Sequence, residues 1–312
     1  MKTTIIQYNY SMLLGLLSGI FWALDTILLG KSLEFSKLAT DSIIFILLIA
    51  GLHDFISGLW VLFSIVITKN TRMLLKSFHN KDCWVICVAA LAGGPVGMSA
   101  YLLSIKFTGA ETASILSTIY PAIGAFFAYL ILKERLGFCG KIGLVIIIAS
   151  TSLLSLSDFT MSDVNFIGVI FGLICAVGWG AESTICSLAL KNDLQYSVAL
   201  LLRQLTSAFI YFIILFIVNL NDMVVVNLIK TIPLHFYLTL LGIAALGASS
   251  YLLYYRTIGK LGAIKAMGLN ISYSAWTILL GCIFGVDISF FILMLSVTII
   301  SGSLLTNWTS EK

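Results

Sequence analysis

The sequence predicts an all-α membrane protein of ten transmembrane helices, arranged as two inverted five-helix repeats with both termini cytoplasmic. Three observations carry that expectation. Of 312 residues, 60% are hydrophobic and only 10% charged, with a mean hydropathy of +1.06. The apolar residues form long continuous runs. The two halves of the chain resemble each other.

A soluble domain is nearer half apolar and a quarter charged. This chain has too few charges to cover the apolar surface that a water-soluble fold of its size leaves outside. That excludes a soluble enzyme, a nucleic-acid binder and a disordered chain. The net charge of +4 comes from basic residues in short clusters between apolar runs, which is no nucleic-acid signature. The runs do not alternate with period two, so a β-barrel is excluded as well.

A spanning helix needs about 20 apolar residues. Ten runs qualify, roughly 12–30, 42–67, 84–105, 111–132, 138–156, 165–190, 197–218, 236–256, 263–285 and 288–306. The connections are short and leave no room for a soluble domain. The first run is too long for a signal-peptide core and lacks a small-residue cleavage site, so it reads as a retained span. Cys83, Cys87, Cys139, Cys175, Cys186 and Cys282 form no C-x-x-C pair and have no histidine at ligand spacing. They read as small apolar residues, and neither metal nor cofactor is expected.

Orientation follows from Lys and Arg in the loops. With the N-terminus inside, thirteen fall on inside segments: Lys2, Lys69, Arg72, Lys76, Lys81, Lys133, Arg135, Lys141, Lys191, Arg256, Lys260, Lys265 and Lys312. Outside segments hold Lys31, Lys37, Lys106 and Lys230, with Asp158, Asp163 and Asp287.

The repeat is read from aligned residues. GLLSGIFWALD (15–25) matches GLICAVGWGAE (172–182), both ending in Trp-x-x-acid: Trp22 with Asp25, and Trp179 with Glu182. TGAETASILSTIYPA (108–122) matches LGAIKAMGLNISYSA (261–275), pairing Gly109 with Gly262 and Tyr120 with Tyr273. Five spans per half is odd, so the second half, 158–312, is inverted relative to 1–157. Inverted repeats with a midplane site between them are a transporter architecture.

Ionisable residues within spans are costly and mark pathways. Five stand out: Asp25, His53, Asp54, Glu182 and Arg203. At 1.5 Å per residue, Glu182 and Arg203 lie roughly 12–14 Å above the same turn on consecutive helices. They can meet, either as a packing ion pair or with Glu182 as a direct ligand. His53 and Asp54 lie near mid-depth on faces about 100° apart. They suit a proton relay or a packing hydrogen bond. Asp25, one turn outward of Trp22, fits a solvated outward vestibule.

Trp22, Tyr120, Trp179, Tyr273 and Trp276 also fall near mid-depth, whereas Trp and Tyr ordinarily gather at membrane interfaces. Asn270, Tyr273 and Trp276 recur every three residues and predict one polar-aromatic face. Several aromatics and a carboxylate suit an organic cation, since a quaternary ammonium has no N–H and is recognised by ring faces. An amino-acid zwitterion remains open if Arg203 is free. Gly93-Gly94-Pro95-Val96-Gly97 and Pro121 predict kinks in the third and fourth spans. An intramembrane enzyme needs a catalytic constellation. His53-Asp54 is the only hint of one, so no catalytic residue and no enzyme are expected.

These features, with TGAETASIL (108–116), Tyr120-Pro121 and KERL (133–136), resemble the EamA type of the drug/metabolite transporter superfamily over nearly the whole chain. Within it, GLLSGIFW (15–22), HDF (53–55), GGPVGM (93–98), IYPAI (119–123), GWGAES (178–183), RQLTS (203–207), YLLYY (251–255) and KAMGLNISYSAW (265–276) are similar to the Lic-type bacterial choline permeases. The resemblance implies a multi-pass protein of the bacterial cytoplasmic membrane. It implies choline import coupled to protons, with a site at the half-to-half interface walled by Trp22, Trp179, Glu182, Tyr273 and Trp276. The alternative within the superfamily is an exporter of amino acids, metabolites or drugs.

Overall fold

The computed structural model describes residues 2–36, 42–69, 71–77, 80–156, 165–192, 194–283 and 288–308. Lys37, Asp158, Asp163, Asp287 and Lys312, and the 157/158 boundary between the expected repeats, lie outside them. The described secondary structure is helical. In order it comprises α1 (Lys2–Phe35), α2 (Ile43–Ile67), α3 (Thr71–Ser77), α4 (Asp82–Leu91), a π-helical turn (Ala92–Met98), α5 (Ser99–Ser117), α6 (Tyr120–Leu132) and α7 (Phe138–Leu156). The second half comprises α8 (Phe166–Lys191), α9 (Tyr196–Asp222), α10 (Val224–Thr231), α11 (Leu234–Leu261), α12 (Ala263–Asn270), α13 (Tyr273–Ile283) and α14 (Phe290–Thr306).

Starts follow local chemistry. The Ser42 hydroxyl accepts from Phe45 N at α2, Asn165 Oδ1 accepts from Ile167 N at α8, and the Ser289 hydroxyl accepts from Ile292 N at α14. Each satisfies an amide that a helix start otherwise leaves unpaired.

Seven helical stretches are long and apolar enough to cross a membrane, and three shorter apolar helices join them: Tyr120–Leu132, Phe138–Leu154 and Phe290–Thr306. Large apolar side chains such as Phe126, Val145, Phe209, Phe216 and Leu238 point outward. That is stable where the surrounding solvent is hydrocarbon. The molecule is a multi-pass membrane protein.

Three details differ from the sequence expectation. The third and fourth spans are not separated by a loop at 106–110. Helical hydrogen bonding runs on through Ser117, yet Ser104 and Leu116 both lie against Gly172. A straight helix would hold those two about 18 Å apart, so the chain reverses between them. Pro121 does not kink a helix; it sits in the first turn of α6, where its missing N–H costs nothing. The glycine-proline run of the third span is a π turn rather than a simple kink.

Neighbour relations have a regular pattern. α1 packs chiefly on α11, and α8 packs chiefly on α5. α2 pairs with α9, and α7 with α14. α1 also touches α13, as α8 touches α6. The main core gathers Tyr120, Ala176, Cys186, Leu200, Tyr255, Ile258 and Met267. A second cluster, with Phe45, Leu48, Ile49, Leu215, Phe236 and Leu240, fills the end of the bundle where α2 begins and α9 ends. Between them the helices leave a large cavity.

Candidate functional site

The cavity has a volume of about 800 Å³. Its wall is drawn from α1, α2, the π turn, α5, α6, α8, α9, α11 and the α12–α13 junction. Asp25, His53, Asp54, Glu182 and Arg203 all line it, and each is between 3% and 9% exposed.

Arg203 organises these charges. Its Nε donates to Glu182 Oε1 at 2.7 Å. Its Nη1 donates to Asp54 Oδ2 at 3.1 Å and to Gln204 Oε1 at 2.7 Å. Its Nη2 donates to the Tyr251 hydroxyl at 3.3 Å, and its Cζ lies 4.8 Å from the Tyr251 ring centroid. One planar fork therefore ties α2, α8 and α11 to α9, a geometry that arginine provides and lysine does not. Tyr255 adds a hydroxyl to Glu182 Oε1 at 3.5 Å.

Beside this network lies a second pair. His53 Nε2 and Asp25 Oδ1 are 2.9 Å apart, a hydrogen bond whose direction depends on the ring's tautomer. His53 Nδ1 is 3.9 Å from Asp54 Oδ1. The two adjacent residues of α2 thus point to different partners, His53 to α1 and Asp54 to α9, as their angular separation requires. Asp25 lines the cavity. At 4% exposed it is held against His53, because α1 and α2 both reach this depth between α9 and α11.

The aromatic wall is contributed by both halves. Trp22 meets Tyr251 edge-on at 5.2 Å, and Trp179 meets Tyr120 edge-on at 6.0 Å. Tyr101 packs on Trp179 at 5.4 Å. The Tyr120 hydroxyl donates to Asn270 Oδ1 at 3.4 Å, and Asn270 Nδ2 donates to the Ser18 hydroxyl. The π turn has a role here. In it, Gly93 O accepts from Trp179 Nε1 and Gly94 O accepts from the Tyr211 hydroxyl, both at 3.1 Å. A Cβ on Gly93 would overlap the Glu182 carboxylate, and one on Gly94 would overlap the Ser207 hydroxyl. Only glycine lets the π turn approach this closely, and the Gly93 and Gly94 carbonyls fix the indole and the phenol.

The structure therefore gathers Trp22, Asp25, His53, Asp54, Tyr120, Trp179, Glu182, Arg203, Asn270 and Tyr273 around one cavity. Trp276 is not among its lining residues, and its buried indole nitrogen has no partner among the described residues. The expected face Asn270–Tyr273–Trp276 assumed one straight helix. Instead α12 ends at Asn270, and the chain tightens through Ser272 N to Leu269 O and Ser274 N to Ile271 O. Of α13, its first residue, Tyr273, lines the cavity. Tyr101, Tyr211, Tyr251 and Tyr254 line it without having been singled out. The signal for two of them was present, since Tyr251 and Tyr254 are three residues apart in a run that resembles the permeases.

Residues 9–156 match the EamA-like transporter family. The chain is 35% identical over 269 residues to Protein LicB of Haemophilus influenzae (strain ATCC 51907 / DSM 11121 / KW20 / Rd), covering 86% of this chain and 87% of that protein. A crystal structure of a protein 17% identical in sequence superposes with a TM-score of 0.72 over 95% of this chain and 97% of its own. At that identity the likeness bears on fold alone.

Proposed function

Because the chain belongs to the EamA-like transporter family of the drug/metabolite transporter superfamily, we propose that it imports choline, or a close quaternary ammonium compound, as a proton-coupled secondary transporter of the bacterial cytoplasmic membrane. The observation that carries this reading is the engagement of Arg203. Its guanidinium faces Glu182, Asp54, Gln204 and Tyr251, and is not available to the carboxylate of an amino-acid zwitterion. Counted formally, Asp25, Asp54 and Glu182 outnumber it, and the cluster stays negative whether or not His53 carries a proton. A cation completes the balance. Ring faces of Trp22, Tyr120, Trp179, Tyr251 and Tyr273 supply what a group without N–H donors needs, each at roughly 0.5–2 kcal/mol. The sequence resemblance to the Lic-type permeases points the same way.

The proton belongs to the His53–Asp25 pair, the titratable couple nearest the Arg203 network. Inward cation flow gains about 2.3 kcal/mol per charge per 100 mV of membrane potential. The architecture in this reading is ten spans in two inverted repeats, 1–157 and 158–312, both termini inside. The reciprocal packing of α1 on α11 and of α8 on α5 supports it, as do the matching helix breaks just before Tyr120 and Tyr273. The cavity then opens outward between α1 and α2, and one repeat rocks on the other to reopen it inward.

Calorimetry on the purified protein with choline, betaine and serine tests the cargo. Choline should bind at micromolar strength with serine silent; monodisperse protein that binds no choline would sink the reading. Trp179→Ala and Tyr273→Ala should each weaken choline binding about tenfold, and unchanged affinity in both would remove the rings from the site. For the proton, His53→Gln should abolish choline accumulation driven by an imposed pH gradient while leaving choline counterflow. Equal pH-driven accumulation in variant and parent would remove His53 from that role.

A further inference from the structure

The cavity is larger than the proposed cargo. Pockets for drug-sized ligands run from roughly 300 to 1,000 Å³, and at about 800 Å³ this one is in the upper part of that range. Choline is far smaller. The surplus space has its own chemistry. The carboxylates and tyrosines occupy one end. From there the wall continues along α1 through Leu29 and Leu33, along α2 through Ile49, Ile46 and Ile43, and along α5 through Leu102. Leu29 and Leu33 lie one and two turns beyond Asp25, so Leu33 is about 12 Å farther along the helix. Ile49 and Ile46 lie one and two turns from His53 on α2, which runs the opposite way. The two apolar rows therefore lead in the same direction away from the charges. Thr26 interrupts them only nominally, since its hydroxyl donates to Trp22 O. Lys106 stands at the far end, where a second positive charge on a ligand would be repelled and a neutral tail would not.

Resting on the cation reading above, we propose that this apolar annex is a subsite for the alkyl chain of amphiphilic quaternary ammonium compounds, whose head group sits among the carboxylates and rings. The annex widens the ligand class from choline to cations carrying a hydrocarbon tail. Moving a methylene from water into fully apolar surroundings strengthens binding up to about fourfold. A groove covered on part of its circumference should give roughly half that gain in free energy, or about twofold per methylene.

The test is displacement of labelled choline from the purified full-length protein by tetramethyl-, butyltrimethyl- and hexyltrimethylammonium. Affinity should rise by roughly two- to fourfold per added methylene. In Leu29→Gln and Ile49→Gln, one turn from the charges and within reach of a hexyl chain, the ratio of hexyl to tetramethyl affinity should fall at least about fivefold, a ratio that cancels any loss of folded protein. Choline binding with a series that is flat or falling would overturn the annex and leave the cation reading standing. A ratio unchanged in both variants would also overturn it, because the gain would then arise elsewhere. Failure of choline itself to bind would overturn both.

Discussion

Arg203 is the residue on which most of the buried chemistry turns. Removing one partner of a buried ion pair strands the others without compensation, at about 3–5 kcal/mol. Arg203→Ala leaves Asp54 and Glu182 facing each other's charge inside the bundle, and it should lower thermal stability by that order, read as the melting temperature of the purified protein. Arg203→Lys should recover little. A single ammonium reaches one carboxylate well but does not span α2 and α8 together, nor stack on Tyr251 as the planar guanidinium does. A lysine variant as stable as the parent would show that the fork geometry is unimportant. The pairing of Glu182 with Arg203 was legible from their equal height on consecutive helices. The pairing of Asp25 with His53 was not. Those residues are 28 positions apart on different helices, and depth alone leaves rotation about each helix axis undetermined.

At the scale of the element, breaks in helices do more than bend them. The π turn exposes the carbonyls that hold Trp179 and Tyr211, and the α12–α13 break delivers Asn270 and Tyr273 to the cavity. A third junction is secured from a distance. α12 begins after Gly262, whose φ of +86° suits glycine alone, and its first amides have no local side-chain cap. Glu134, after α6, supplies it: Oε1 accepts from Ala263 N and Oε2 from Ile264 N, while Lys191 Nζ donates to Oε1 at 2.9 Å. A carboxylate at a helix N-terminus satisfies orphan amides and complements the dipole. Glu134→Ala should therefore cost roughly 1–2 kcal/mol, and Glu134→Gln less than about 1 kcal/mol, since it keeps an acceptor and loses chiefly a half-exposed ion pair. Equal melting temperatures for all three proteins would contradict the cap. The Glu-Arg-Leu string was visible in the sequence as part of a resemblance, but its task was not. A cap is ordinarily sought within its own helix, and this one arrives from 129 residues away.

For the whole molecule, the prediction concerns sidedness. In a background without the native cysteines, Lys230→Cys should react with an impermeant thiol reagent added outside intact cells. Lys76→Cys should react only after the membrane is opened. The reverse pattern would place both termini outside and turn the cavity toward the cytoplasm in this conformation. The expectation rests on the Lys and Arg bias, which acts through short loops and is read from sequence without any fold. The reciprocal packing of α1 on α11 and α8 on α5 is a separate support for the inverted halves.

The sequence by itself determined the solvent of this protein, the helical class, the approximate places of most spans and the residue types held at depth. All of these follow from composition and from properties of single segments: apolar length, Lys and Arg bias, and the cost of charge in lipid. Only the tertiary structure decided that Asp54 joins Glu182 on Arg203, that Asp25 pairs with His53, that Trp276 is not among the cavity's lining residues, and that Tyr101, Tyr211, Tyr251 and Tyr254 join its wall. Those outcomes depend on helix rotation, on where a helix breaks, and on which distant segment packs alongside. No local pattern encodes such quantities, because each is settled by many side chains from different helices filling the same space at once.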